Sequence, residues 1–230
     1  MSTQPSIQIP GYMANRLLAT LNAEEYSRLS PHLQPVQLGL GDILYSSNRF
    51  LEHVYFPTTS IISLLYTMED GATAEVGLAG NDGVVSVASF LGGEMVPSRA
   101  VVQIAGCALR MKARILQEEF ARTGHFHRVL LLYTQALLTQ ISQTAVCNRL
   151  HPIEKRLCRW LLLALDRTHS DKMQMTQELI AHNLGGRRES VTVAAGRLQD
   201  AALIHYSRGH IRILDRPGLE QASCECYRVV

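Results

Sequence analysis

Apolar residues follow different periods along the 230-residue chain, and each period predicts a different kind of element. Between residues 11 and 34, leucines recur at helical spacing, and the segment 22–25 (NAEE) is a helix-start pattern. From Val36 to Met111, short β-rich segments lie between turn signals such as Asp70-Gly71, and residues 84–93 (VVSVASFLGG) are expected to form one of these strands. Many short strands in succession predict a sandwich, barrel or jelly roll.

The helical period returns after residue 112. Residues 113–122 predict a short helix, and His127 to about Arg149 predicts a long one because the stretch has neither proline nor glycine. One stripe of the long helix is spaced by alternating steps of three and four, and it consists of Leu130, Tyr133, Leu137, Ile141, Thr144 and Asn148. A second apolar face is formed by Leu131, Leu138 and Ala145. One face can cover the β domain, and the other face can pack against a partner helix. We take the first stripe as the seam of a dimer; the alternative is a helix buried only within its own chain.

His151-Pro152 ends the long helix and marks a domain boundary. An amphipathic helix follows at 154–166, and then two short helices flank Gly185-Gly186. Residues 204–214 alternate as a hairpin, with Arg208-Gly209 at its turn. This order predicts a winged helix-turn-helix. The expected domains are a sensor at 1–125, a dimerisation helix at 126–150 and a DNA-binding domain at 151–230.

The helix after the Gly-Gly turn opens with four polar side chains, which suit an N-terminus placed in a DNA major groove. Arg188 is expected to bind guanine O6 and N7, and Glu189 to accept from a cytosine amino group. Thr192 is expected to touch a base edge or methyl group. Contacts to the DNA backbone are expected from Thr176, Gln177, Arg187, Ser190, Arg208 and His210. The alternative for the polar residues 187–189 is an ordinary solvated helix start.

Composition and charge refine this interpretation. Hydrophobic residues make up 47% and charged residues 18%, which is typical of a well-cored globular protein. The net charge is only +2, yet residues 1–145 hold nine basic against eleven acidic residues, whereas 146–230 hold thirteen against nine. The more basic C-terminal part fits a DNA-binding module. We see no signal peptide in residues 1–10 and no apolar run long enough to span a membrane, so a cytoplasmic protein is expected.

The five cysteines follow no disulfide framework, which favours a reducing compartment. Cys224-Glu225-Cys226 could begin a metal site, but the sequence offers no second Cys or His pair at suitable spacing. We therefore expect unligated tail cysteines and no metal.

The stretch 176–204 resembles the helix-turn-helix of the cyclic-AMP receptor protein and fumarate-nitrate regulator (Crp/Fnr) superfamily. The match rests on Thr176, Gly185, the run 188–191 (RESV) and the spacing of Leu198, Asp200 and 203–204. The resemblance implies that Arg188 and Glu189 contact bases, while Val193 stands where the best-known member has a second base-contacting arginine. It also implies an α+β fold with a cyclic-nucleotide-binding-type β jelly roll, a dimerisation helix and a C-terminal winged helix-turn-helix. The implied partners are double-stranded DNA, a second copy of the chain and RNA polymerase.

The sensor part departs from the cyclic-nucleotide-binding members. Residues 80–85 (GNDGVV) stand where a Gly-Glu-Leu run is expected, so the ribose-binding glutamate is missing. The run 98–100 (SRA) displaces the expected phosphate-binding arginine by one position, which on a strand reverses its face. The candidate ligand pocket comprises Gly80, Asn81, Asp82, Gly83, Ser98 and Arg99, and these residues are alternatively surface turns of a degenerate pocket.

Cyclic AMP is not expected to bind, and the identity of any small-molecule effector stays open. An iron–sulfur cluster is not expected because no cysteine precedes Cys107. Haem would have to use His53, His125 or His127, which as lone histidines are more typical of surface or core positions.

The sequence thus predicts a sequence-specific transcription regulator that needs no cofactor. The alternative is a nucleotide-sensing interaction module that does not bind DNA. An enzyme is not expected, because the sequence shows no nucleophile–base set, P-loop or metal-ligand cluster.

Overall fold

A computed structural model describes residues 11–93, 95–168 and 170–230. The first ten residues, which belong to the predicted sensor and to the expectation about a signal peptide, lie outside this part. The helices are α1 (Ala23–Leu29), α2 (Ala113–Phe120), α3 (His125–Leu150), α4 (Ile153–Thr168), α5 (Gln177–Asn183), α6 (Arg188–Asp200) and α7 (Arg216–Ala222). The strands are β1 (Gln34–Leu38), β2 (Ile43–Tyr45), β3 (His53–Pro57), β4 (Ile61–Thr67), β5 (Thr73–Ala79), β6 (Arg99–Ile104), β7 (Gly106–Lys112), β8 (Lys172–Gln174), β9 (Ile204–Ser207) and β10 (His210–Ile213).

Two antiparallel sheets form the β domain, with strand orders β1-β7-β3 and β2-β6-β4-β5. Buried residues from both sheets meet in one cluster, which includes Leu38, Ile62 and Val102. The β4–β5 hairpin turns at Gly71, whose φ of +86° lies in the region that glycine adopts most easily. The predicted turn at Asp70-Gly71 and the predicted jelly-roll class of fold are therefore confirmed.

Residues 84–93 do not form the expected strand. Val85 makes an isolated bridge to Tyr55, after which the chain turns at Ser86 with a φ of +78°. A short 3-10 helix follows at Val87–Ser89, where the Ser89 amide donates to the Ser86 carbonyl at 3.1 Å. The left-handed residue breaks the ladder after one pair, so an apolar run that is typical of a strand becomes a packed loop.

Helix α1 begins as the sequence predicts. Asn22 accepts from the Glu25 amide while Glu25 accepts from the Asn22 amide, which is a complete capping box. The second carboxylate oxygen of Glu25 also accepts from the Phe126 amide at 2.9 Å. The same side chain therefore caps the start of α1 and fixes the start of α3.

Helix α3 packs the stripe predicted as a dimer seam against its own chain. Leu130, Leu137 and Thr144 are buried within the chain, and Gln140 on the same side accepts from the Leu78 amide of β5 at 2.6 Å. The opposite face leaves Leu131 and Leu138 exposed by 43% and 61%. This corrects the assignment of faces: the stripe that includes Tyr133, Ile141 and Asn148 is the one turned towards the chain, because the β domain needs an apolar cover.

The C-terminal helices pack directly on the β domain through buried polar contacts. Trp160 of α4 donates to the Glu75 carboxylate of β5 at 3.0 Å, and Ser63 of β4 donates to the other oxygen of the same group. Arg167 of α4 forms an ion pair of 2.9 Å with Asp82. These contacts set the position of α4 relative to the sheets.

A smaller antiparallel sheet, β8-β10-β9, forms the wing. The predicted hairpin turn at Arg208-Gly209 is present, and both residues have positive φ, of 50° and 77°. Strand β8 was not predicted, because three residues give too short a pattern to recognise. Among the described residues, we find no helix with the length and apolar character needed to cross a membrane.

Glu75 predicts a pH dependence of stability. Burial raises the pKa of its carboxyl to about 8 from an ordinary 4.5, so between these values the folded chain holds a proton that the unfolded chain has lost. Stability should therefore fall as pH rises through this window and level off above it. In Glu75→Gln this component should disappear, so urea unfolding between pH 5.5 and 8 should show a weaker decline than in the wild type.

Glu69→Gln provides the control, since Glu69 is an exposed glutamate on the same hairpin. In this variant, stability should decline with rising pH as it does in the wild type. An unchanged decline in Glu75→Gln would contradict the predicted role of Glu75.

Candidate nucleic-acid interface

The turn between α5 and α6 is built by its two glycines. Gly185 adopts a φ of +56°, and its amide donates to the His182 carbonyl at 3.3 Å. The Gly186 amide donates to the Ala181 carbonyl at 2.9 Å, which completes a Schellman motif at the end of α5. A Cβ on Gly186 would lie 2.8 Å from Ile153 Cδ1, so the turn also packs against the start of α4.

Helix α5 begins at the predicted N-cap. Thr176 accepts from the Leu179 amide at 3.2 Å through its side-chain oxygen. Gln177, one position further, accepts from the Thr192 hydroxyl of α6 at 2.8 Å. Two of the predicted contact residues are therefore bonded to each other across the helix-turn-helix, which fixes the crossing of the two helices.

The first turn of α6 is exposed as the sequence predicts. Arg188, Glu189, Ser190 and Thr192 are all exposed, and Val193 is 55% exposed. The inner face of the same helix is buried and consists of Val191, Ala194, Ala195 and Leu198. The apolar face holds the helix on the domain, so the polar start is free to face a ligand.

A polar cleft of about 470 Å³ joins the helix-turn-helix to the wing. It is lined by Thr176, Gln177 and Arg188 from the helices and by Arg208 from the wing turn. Tyr206 also lines it and was missed by sequence reasoning. Its hydroxyl donates to the Met175 carbonyl at 3.1 Å, and its place in the alternating strand β9 was the signal that could have found it.

The remaining predicted contact residues lie around this cleft. Arg187 lines a groove between the Gly-Gly turn and the β4–β5 hairpin, next to Met68. Glu189 and Ser190 line a cleft on another side of α6, together with Arg197. His210 is exposed on β10 and pairs in register with Ser207 across the wing. The structure thus brings four predicted residues to one cleft and spreads the others along the start of α6 and the wing.

The candidate ligand pocket is occupied by the chain itself at the segment 80–83. A Cβ on Gly80 would lie 2.6 Å from Arg167 Cβ, and one on Gly83 would lie 2.6 Å from a ring carbon of Tyr133. Asp82 is bound to Arg167, and the Asn81 carbonyl accepts from the Arg16 amide at 2.6 Å. These contacts place the two glycines of the turn against α3 and α4.

The other pocket candidates lie on β6 and just before it. Ser98 is buried within hydrogen-bonding reach of the Tyr45 hydroxyl, and Arg99 pairs in register with Leu65 of β4.

The three histidines considered for haem have neighbours within the chain. A ring nitrogen of His127 lies 2.6 Å from the Phe120 carbonyl, and one of His125 lies 3.1 Å from the Thr20 carbonyl. His53 lies 4.0 Å from Glu52, and burial lowers the pKa of its imidazole.

The helix-turn-helix part has recognisable relatives. Residues 155–222 match the Crp-like helix-turn-helix domain family. No curated protein sequence matches the chain.

Solved structures match the whole architecture. FixK2 from Bradyrhizobium japonicum is 18% identical, with 84% of this chain and 98% of that chain covered and a TM-score of 0.70. TTHB099, a CRP-family transcriptional regulator from Thermus thermophilus, is 15% identical, with 82% and 96% covered and a TM-score of 0.66. The c-di-GMP responsive global regulator CLP from Xanthomonas campestris is 13% identical, with 84% and 100% covered and a TM-score of 0.67.

The C-terminal part is therefore a Crp-like helix-turn-helix domain, and the chain as a whole has the fold of the Crp/Fnr regulators. The resemblance found in the sequence is thus confirmed by the family match for the helix-turn-helix and by the solved structures for the fold.

Gly83→Ala tests whether the segment 80–83 is filled by the chain. The added methyl group would overlap the Tyr133 ring, so we expect a loss of roughly 1–3 kcal/mol of unfolding free energy in urea. Gly196→Ala is the matched control, because nothing lies within 4 Å of its Cβ position in α6. That variant should gain about 0.5–1 kcal/mol. Equal stability of Gly83→Ala and the wild type would argue against the packing described here.

Proposed function

We propose that the protein is a sequence-specific transcription regulator that binds DNA as a homodimer. The observation that carries the proposal is the polar cleft between α6 and the wing, where Thr176, Gln177, Arg188 and Arg208 converge beside the exposed first turn of α6. A helix of this kind enters the major groove with its N-terminal residues at the base edges.

Arg188 is the proposed sequence reader. It is the first residue of α6 and is exposed, so its guanidinium can reach the O6 and N7 atoms of a guanine. Glu189 is the proposed partner of a cytosine amino group, and Thr192 of a base edge or methyl group. The phosphate backbone on either side is proposed to be bound by Thr176, Gln177, Arg187, Ser190, Arg208 and His210.

The proposed dimer uses the exposed face of α3. Leu131 and Leu138 lie seven residues apart, and Ala145 continues the same heptad spacing. Leu132, Val146 and Leu150 extend the exposed apolar surface along the helix. Two copies that bury this surface around a twofold axis would present two α6 helices to half-sites about one DNA turn apart.

The sensor is proposed to act through its contacts with α4. In the β domain, Asp82 binds Arg167 of α4, and Glu75 of β5 binds Trp160 of α4. An effector that moves the loop with Asp82 or the strand β5 would therefore also move α4 and the helices packed on it. The domain limits proposed for this arrangement are 1–125, 126–150 and 151–230. The helix-turn-helix match does not favour the alternative of an interaction module that does not bind DNA.

Arg188→Ala should weaken binding to a duplex that the wild-type protein selects from a randomised pool. We expect a loss of roughly 1–3 kcal/mol, or about ten- to hundredfold in Kd, because the bidentate contact to guanine is removed. Fluorescence anisotropy with the selected duplex and with a scrambled duplex measures both affinity and preference.

Arg197→Ala is the matched control, since it removes the same charge from the last turn of the same helix. Its exposed ion pair with Glu154, at 3.2 Å, contributes little to stability. It should lower the affinity for both duplexes equally and modestly. Retention of affinity and sequence preference by Arg188→Ala would show that Arg188 does not read bases.

Leu138→Glu should shift the protein towards monomers. Each copy would lose the burial of one leucine, roughly 1.5–3 kcal/mol, and two carboxylates would face each other across the axis. Sedimentation velocity over a concentration series should show at least a roughly hundredfold higher dissociation constant. Leu91→Glu changes another leucine, 50% exposed and outside α3, and should leave the dimer intact. A dimer of unchanged strength in Leu138→Glu would place the seam elsewhere.

A further inference from the structure

A cluster of three cysteines and one histidine lies where α3 meets the C-terminal tail. Cys147 lies in the last turn of α3, and His151 is the C-cap residue, whose amide donates to the Cys147 carbonyl at 3.0 Å. Cys224 and Cys226 come from the segment that follows α7. The two halves of this cluster are more than seventy residues apart in the sequence, so the sequence pattern did not predict it; the fold brings them together.

The donor atoms have the spacing of a tetrahedral mononuclear site. Cys147 Sγ lies 3.6 Å from Cys224 Sγ, and Cys226 Sγ lies 3.5 Å from His151 Nδ1. All four donors lie within 4.8 Å of one another. Zinc bonds of about 2.3 Å to sulfur and about 2.0–2.1 Å to nitrogen give tetrahedral edges of roughly 3.4–3.8 Å. A single ion therefore fits between these donors with small movements.

The surroundings of the cluster also suit a metal ion. His151 presents Nδ1 to the cluster, while its Nε2 lies 3.5 Å from the Glu225 carboxylate. A carboxylate on the second ring nitrogen orients a ligating histidine and raises its basicity. The three cysteines are buried, which separates the cluster from solvent.

Arg159 balances the charge that such a site would carry. It is buried beside the cluster, and its Nε donates to the Cys226 carbonyl at 3.4 Å while its other described bond goes to the Thr144 hydroxyl. A zinc ion with three thiolates and one neutral imidazole has a net charge of −1. The Arg159 cation lies where it compensates this charge at low dielectric.

We propose that Cys147, His151, Cys224 and Cys226 bind one Zn²⁺ ion, which fastens the C-terminal tail to the joint between α3 and α4. Binding replaces the protons of the three thiols, which leave to solvent, and forms three Zn–S bonds and one Zn–N bond without any redox change. The inference is independent of the proposed DNA binding, because it concerns only the tail and the end of α3.

The full chain without an affinity tag, purified under reducing conditions and free of chelator, should contain about one zinc per chain by elemental analysis. Anaerobic replacement by Co²⁺ should give the visible absorption of tetrahedral cobalt and a thiolate-to-cobalt charge-transfer band. Cys226→Ser should lose the ion and the charge-transfer intensity. Cys107→Ser, which changes a buried cysteine outside the cluster, should retain both.

Glu225→Gln keeps all four ligands and alters an exposed side chain, so it tests the site even if Cys226→Ser fails to fold. Its zinc affinity in chelator competition should fall roughly 10–100-fold. The proposal is overturned if the wild type takes up no zinc or cobalt after reconstitution, if Cys226→Ser binds as much as the wild type, or if air-free protein contains a Cys147–Cys224 disulfide instead of the ion.

Discussion

The attachment of α4 to the β domain determines how the rest of the molecule is arranged. Glu75 is buried between Ser63 and Trp160, and Arg167 reaches Asp82 from the far end of the same helix. Removing one partner of a buried hydrogen bond leaves the other group unsatisfied, which costs more free energy than the bond contributes. The two contacts therefore define one arrangement of the DNA-binding part more sharply than apolar packing alone would.

The same contacts fill the surroundings of the segment 80–83, where the sequence suggested a ligand pocket. In the segment 80–83, Asp82 is occupied by Arg167, and the glycines allow α3 and α4 to approach the backbone closely. The glycines that the sequence suggested for a ligand thus serve helix packing in this chain. A glycine-rich turn signals close approach, and the sequence does not say what approaches.

Local signals in the sequence predicted local structure well. The capping box at Asn22, the N-cap Thr176, the Gly185-Gly186 turn and the Arg208-Gly209 turn all depend on residues within a few positions of one another. Tertiary features were harder to predict from the sequence. The face of α3 that packs inward, the burial of Glu75 and the meeting of Cys147 with Cys224 depend on partners more than sixty residues away. Both faces of α3 are apolar, so periodicity could not decide between them.

Val193 of α6 can be substituted more freely than the buried residues of the same helix. Its side chain is 55% exposed, whereas Val191, two positions earlier, and Ala194, the next residue, are buried. A change at an exposed helix position usually alters stability by less than about 0.5 kcal/mol. Substitutions at this position can therefore change the exposed surface of α6 while the fold is retained.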